Sequence, residues 1–230
     1  MIENNSLWGC SAVNLNDPYD CDFEITKTFI KNNYFNQITV LDYPEGNIST
    51  EKLDLAKEIT LVFLKNKLLQ ALQDQYRTNL GVCCFTTDPL SELMWSHYAN
   101  SAKGVCLEFS FRSSLEISNK IIPVHYSNKR ILVETEINRA KALFQKQIAW
   151  SYEKEWRILA NQGYITFNKS NLIGVIFGPR TPVAEVKLVK DLFDKHHYQV
   201  KFYFCDYSPN GLKKTILTDE ILNEMIAKHL

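Results

Sequence analysis

The run LIGVIFG at residues 172–178 limits the fold more than any other part of this sequence. It is apolar without interruption up to its closing glycine, the pattern of a strand covered on both faces. A strand of that kind requires strand neighbours and packing layers, so the chain must build a sheet with helices against it. GVCCFTT at 81–87, VCLEFSF at 105–111, IIPVHY at 121–126, EWRILA at 155–160 and YQVKFYFC at 198–205 read as further strands. Helices are expected over 50–78, where Leu53, Ala56, Ile59, Phe63 and Leu64 fall at helical spacing, and over about 90–99, 131–150, 183–196 and the last dozen residues. Strands and helices mix without strict βαβ alternation. The expected class is α+β, one domain over residues 1–230, with a mixed sheet and helices packed around it.

Bulk properties narrow the functions to expect. Lys plus Arg equals Asp plus Glu, 26 against 26, so no overall field draws the chain to nucleic acid or anionic lipid. No apolar run approaches the roughly 18 residues of a membrane span, and the N-terminus lacks a basic, then apolar leader. The six cysteines form no C-x-x-C pair and read as free thiols in a reducing compartment, with Cys83 and Cys84 on opposite strand faces. The expectation is a cytoplasmic protein without a membrane partner. There is no G-x-G-x-x-G, P-loop, G-x-S-x-G or H-E-x-x-H motif.

Two stretches hold the chemistry. In LMWSHYANSAKGVCLEF, residues 93–109, Leu90, Leu93, Met94, His97 and Tyr98 form one helical stripe, with Trp95 off it. A histidine on such a stripe reads first as a core residue with a satisfied hydrogen bond. The other reading is a cleft wall, with Trp95 and Tyr98 as stacking platforms and His97 as a donor. In SYEKEWRIL, residues 151–159, extended backbone places Glu153, Glu155 and Arg157 on one face and Trp156, Ile158 and Ala160 on the core face. That charged face is either a solvated ion-pair surface or a site where a carboxylate meets a ribose or an oxocarbenium-like centre, with Arg157 orienting it or holding a phosphate. LNDPYDCD, residues 15–22, reads as a structural turn. Asp17, Asp20 and Asp22 lack the glycine and closing glutamate of a calcium loop, and His125, His196 and His197 lack a ligand set, so no metal site is expected. Arg180 in FGPR places a cation just beyond the end of the buried strand.

Three stretches taken in order, NLNDPYDC, then LMWSHYANSAKGVCLEF, then YEKEWRI with LIGVIFGPR, resemble an uncharacterised, mainly bacterial family, domain of unknown function 2971. The resemblance runs from about Leu7 to Arg180. It implies a tyrosine-rich first strand ahead of the Asn16-Asp17-Pro18 turn, which is expected to be missing here. A weaker likeness is to the ADP-ribosyltransferase fold, in which a strand glutamate binds the nicotinamide ribose of NAD. On that likeness Glu153-Lys154-Glu155 matches the Glu-x-Glu form, Glu155 and His97 are catalytic, and Trp95, Tyr98, Glu153 and Arg157 hold the cofactor.

The expected function is therefore nucleotide binding, with NAD as cofactor and ADP-ribose transferred to a macromolecular or small acceptor. The alternatives are a non-catalytic sensor or interaction domain in stress or phage defence, and a metal-dependent nuclease using Asp17, Asp20 and the glutamates.

Overall fold

The computed structural model describes residues 1–26, 28–29, 50–112 and 114–228, some helix side chains excepted. The chain runs through β1 (Ser6–Ser11), β2 (Glu24–Ile25), α1 (Thr50–Asn79), β3 (Leu80–Thr86), α2 (Glu92–Tyr98), β4 (Val105–Phe109) and α3 (Leu115–Ser118). It continues through β5 (Ile121–Pro123), β6 (His125–Tyr126), β7 (Leu132–Val133), α4 (Glu136–Leu143), β8 (Gln145–Lys146), β9 (Glu155–Asn161) and β10 (Gly163–Thr166). The last elements are β11 (Leu172–Phe177), α5 (Val183–Lys195), β12 (Lys201–Ser208), β13 (Gly211–Ile216) and α6 (Asp219–Lys228).

The class is α+β, and the strands divide between two larger sheets instead of one. The first has the order β10-β1-β3-β9-β5 and the second β13-β12-β11-β4, with two short strand pairs, β2-β7 and β6-β8, besides. In the second sheet only β11 and β12 run parallel. Val175, Ile176 and Phe177 of β11 have no exposed surface, so the strand is packed on both faces from Gly174 onward, while Ile173 is exposed. One core joins β11 to α5 and α6 through Leu172, Val175, Phe177, Val186, Phe193 and Leu222. Another gathers Phe23, Ile25, Phe29, Val82, Val133 and Leu143 on the first sheet. Among the described residues no helix is long and apolar enough to cross a membrane. All six cysteines are free, and Cys83 and Cys84 lie on opposite faces of β3 as alternation requires, Cys83 buried.

Three expectations change. The helix expected over 131–150 is confined to α4. Thr135 caps its start by accepting from the Asn138 N–H at 3.2 Å, and after Leu143 the chain extends so that β8 pairs with β6. Gln145 fixes that exit by donating to the Lys129 carbonyl at 2.5 Å. Strands also form at β1, β10 and β13, where none was expected. Finally, the stripe expected on α2 is turned outward: Leu93 is 50% exposed and Tyr98 49%, whereas Trp95 is 4% exposed. Of the long helix, Ile59 and Phe63 are likewise exposed, while the side chains of Leu53 and Ala56 lie outside the described residues.

The inversion of α2 has a local cause. The helix is two turns long, so one indole outweighs a weak stripe in deciding which side is buried. Ser91 caps it, Trp95 donates its indole N–H to the Pro89 carbonyl at 2.8 Å, and the indole packs with Ala99, Ala102, Ile176 and Cys205. Asn100, Ser101 and Ala102 then take three consecutive left-handed conformations, with φ of 47°, 55° and 66°. Non-glycine residues resist that region. They are held there by Ala102 N–H to Trp95 O at 3.0 Å, Gly104 N–H to Ala99 O at 2.8 Å and Arg180 N–H to Ala102 O at 3.0 Å. Gly178 must be a glycine, because a Cβ there would collide with the Ala102 carbonyl.

Candidate functional site: a saturated charge cluster beside an open cleft

Glu155 and Arg157 sit on one face of β9, as extended backbone requires, but that face is interior. Arg157 is 0% exposed and Glu155 3%, less than the neighbouring Trp156. Glu153 lies outside the strand, at the end of a 3₁₀ turn (Ile148–Glu153), and Lys154 at φ 45° swings the chain so that both glutamates face the same interior. Arg157 donates from Nε to Glu155 Oε1 at 2.6 Å and from Nη2 to Glu155 Oε2 at 3.0 Å. It also donates from Nη1 and Nη2 to the two Asp20 oxygens at 2.7 and 2.5 Å, and from Nη1 to the Leu143 carbonyl at 3.1 Å. A guanidinium has five N–H donors, and all five are engaged.

Lys146 is the second cation. Its Nζ donates to Glu153 Oε2 at 2.5 Å and Glu155 Oε2 at 3.1 Å, lies 3.6 Å from Asp20 Oδ2, and stands over the Trp150 ring at 4.9 Å. Tyr98 closes the cluster by donating its hydroxyl to Glu153 Oε1 at 2.6 Å, and Asn16 donates to the same hydroxyl oxygen at 2.6 Å. Three carboxylates thus meet two cations, leaving one formal negative charge inside.

The electrostatic consequences follow from that geometry. Burial works against ionisation of Glu155, but the Arg157 hydrogen bonds and charge, with Lys146 behind them, win and lower its pKa to about 2. Lys146 and Arg157 are both held protonated above their ordinary range despite burial, chiefly by the carboxylates they touch. Burial, and then the Glu153 carboxylate that accepts from it, keeps the Tyr98 phenol neutral.

The aromatic block therefore meets the acidic cluster through Tyr98 alone. His97 is exposed and lies 3.2 Å from the Tyr152 hydroxyl through Nδ1. Trp95 is a core residue. Asp20 and Lys146 complete the cluster and were not assigned to it from the sequence. Asp20 belongs to a stretch whose turn chemistry was legible but whose partner is 137 positions away, and Lys146 lay inside an expected helix. Asp22 pairs with Arg130 at 2.7 Å, away from the others. Among the described residues no group of three or more His, Cys, Asp or Glu is disposed to hold a metal ion. Of the acids the nuclease alternative would use, Asp20 and Glu155 turn their oxygens onto Arg157 and Lys146, and Glu153 turns its own onto Lys146 and Tyr98.

Next to the cluster, between the two large sheets, lies a cleft of about 600 Å³. That volume is within the usual range for a small-molecule site. Phe85, Phe109, Phe111 and Trp156 supply aromatic walls, Thr86, Thr87 and Glu108 the polar ones, and no Lys, Arg or His is among the lining residues. A smaller recess shares Thr86, Pro89, Val105 and Cys106 with it and extends under α2 to Trp95 and Tyr98. Thr86 ties cleft to cluster by donating its hydroxyl to the Glu153 carbonyl at 2.7 Å.

Fold and site thus define an α+β protein with an inter-sheet cleft backed by a buried charge cluster. The profile of the family described as Protein of unknown function (DUF2971) matches residues 94–158, under a third of the chain. The matched segment contains Trp95, Tyr98, Lys146, Glu153, Glu155 and Arg157, and leaves Asp20 outside. No curated protein and no solved structure matches the chain.

Proposed function

We propose that this protein is a non-catalytic binding module that takes an uncharged, planar group into the cleft between its two sheets. The carrying observation is the cleft lining: aromatic rings with a few neutral hydrogen-bonding groups, one carboxylate, and no cation. A dinucleotide brings a pyrophosphate, which needs cationic or N–H donors. Here Lys214, the cation beside the lining, is paired with Glu108 at 2.9 Å, while the buried cations Lys146 and Arg157 are saturated by carboxylates and their cluster retains an excess negative charge. The nucleobase or nucleoside part of a nucleotide suits these walls; its phosphates do not. Tyr98 and Thr86 link the cluster to the cleft, so the charge cluster serves as the rigid back wall that keeps the slot open.

A second reading keeps Glu155 as the catalytic carboxylate of an NAD-dependent ADP-ribosyltransferase. It is favoured by one observation, that Glu155 is ionised at neutral pH, as stabilising an oxocarbenium ion requires. The same hydrogen bonds that ionise it occupy both of its oxygens.

Thermal unfolding separates the two. A ligand that binds only the folded state raises the Tm by mass action. Adenosine, nicotinamide and N-acetyl-tryptophanamide are expected to raise it, and NAD, ADP-ribose and ATP to raise it less at equal concentration. The opposite ranking, with the anionic nucleotides stabilising most, overturns the binding-module reading.

A further inference from the structure

The cleft is lined by consecutive residues of two strands, Cys83 to Thr87 on one wall and Val105 to Phe109 on the other. Neighbouring residues of a strand point to opposite faces. A cavity touched by every residue in turn therefore runs along a strand's edge, not over one of its faces.

The ladders identify which edges these are. Strand β9 covers one side of β3 along its whole length, from Leu80 to Thr86. On the other side β1 pairs only with Gly81 and Val82, and its remaining residues, Ser6 to Gly9, pair with β10 instead. Among the described residues, β3 beyond Val82 thus has an open side. Among the described residues, strand β4 is the last of its sheet and has β11 as its one strand partner. Hydrogen-bonding direction alternates along a ladder. Thr87 N–H goes to Lys154 O on the β9 side and Ser110 N–H to Asn171 O on the β11 side. By that alternation Cys84 and Thr86 on β3, and Val105, Leu107 and Phe109 on β4, present their backbone groups to the cleft.

We infer that the partner of this cleft is an extended polypeptide segment, which inserts as a strand between β3 and β4 and joins the two sheets through main-chain hydrogen bonds. This rests on the reading of the cleft as the binding site and names its occupant. Open strand edges are templates for pairing with another chain, and here two such edges share one slot, so the backbone donors and acceptors themselves specify a peptide. Phe85 and Phe109 meet edge-on, with ring centroids 6.0 Å apart, and Phe109 stacks on Phe111 at 5.6 Å. Those rings set the side-chain preference: an aromatic residue of the incoming strand, in an uncharged sequence, since Glu108, the one charged group in the lining, is already paired with Lys214 at 2.9 Å. With Phe85 next to Phe109, and Thr86 sharing a recess with Val105 and Cys106, β3 and β4 run in opposite directions. An inserted strand is parallel to one wall and antiparallel to the other.

The test uses terminally blocked hexapeptides alternating Thr or Val with Phe, Tyr or Trp, titrated calorimetrically into the full chain. Each is compared with analogues N-methylated on alternate peptide nitrogens, in the two possible registers. Strand insertion predicts binding by the parent peptides and a loss of about tenfold or more from methylation in either register, one lost hydrogen bond being worth about that factor. Parent and methylated peptides binding alike overturns strand pairing while leaving the cleft as an aromatic-binding site. No peptide binding, with adenosine and nicotinamide still raising the Tm, also overturns it. If neither class of probe binds, the reading of the cleft falls with it.

Discussion

Arg157→Met is expected to destabilise the fold by roughly 3–5 kcal/mol, the cost of removing one partner from a buried ion network. Methionine fills much of the guanidinium's space, so the loss comes from charge. Asp20 and Glu155 would keep their burial and lose four of the hydrogen bonds that offset it. Urea unfolding monitored by tryptophan emission measures the difference. The same substitution combined with Asp20→Asn and Glu155→Gln is expected to recover part of the loss, since the charges that need Arg157 are then gone. A single variant within about 1 kcal/mol of the parent, the scale of a surface pair, would contradict the account of the cluster. If the triple variant is less stable than the single one, the attribution to unpaired charge fails.

The second large effect is on acid stability. The folded-state pKa of Glu155 is depressed to about 2, so its contribution to stability is present above the unfolded carboxylate value of about 4.3. It is lost as pH falls from there through about 2. Lys146 and Tyr98 act at the other end. Their folded pKa values are raised, so their contributions are complete below their unfolded values of about 10 and disappear as pH rises beyond them. The protein is therefore expected to show a plateau of Tm across the neutral range with a steep acid limb below about pH 4, and Glu155→Gln is expected to flatten that limb. A limb of unchanged steepness in Glu155→Gln would place the acid sensitivity elsewhere.

Much of the fold was legible in the sequence wherever a pattern was local. LIGVIFG declared a covered strand, and the alternation of EWRILA placed Glu155 and Arg157 on one face. What was hidden depended on distant partners. Nothing near Asp20 shows that it meets Arg157, and nothing near Lys146 shows that its helix stops at Leu143 so that an extended pair can carry the ammonium inward. The charged face of β9 looked like a solvated surface or a ligand site because burying it requires those two residues. On α2 the stripe misled because Trp95, the one large side chain off it, had the most apolar surface to bury. The place of the cleft, between β3 and β4, was not legible. It exists because β1 leaves β3 for β10 and, among the described residues, β4 has a strand neighbour on one side only, and neither ladder is written in local periodicity.

The distinction between a binding module and a transferase turns on Glu155, and nicotinamide release from NAD tests it most directly. The protein is incubated with NAD and the free nicotinamide is quantified by chromatography, alongside Glu155→Gln in a form that retains cooperative unfolding. With both Glu155 oxygens bound by Arg157 and Lys146, no release above the protein-free rate is predicted for either chain. Release by the parent that Glu155→Gln abolishes would contradict this account, and would make the cluster an active site in its resting state.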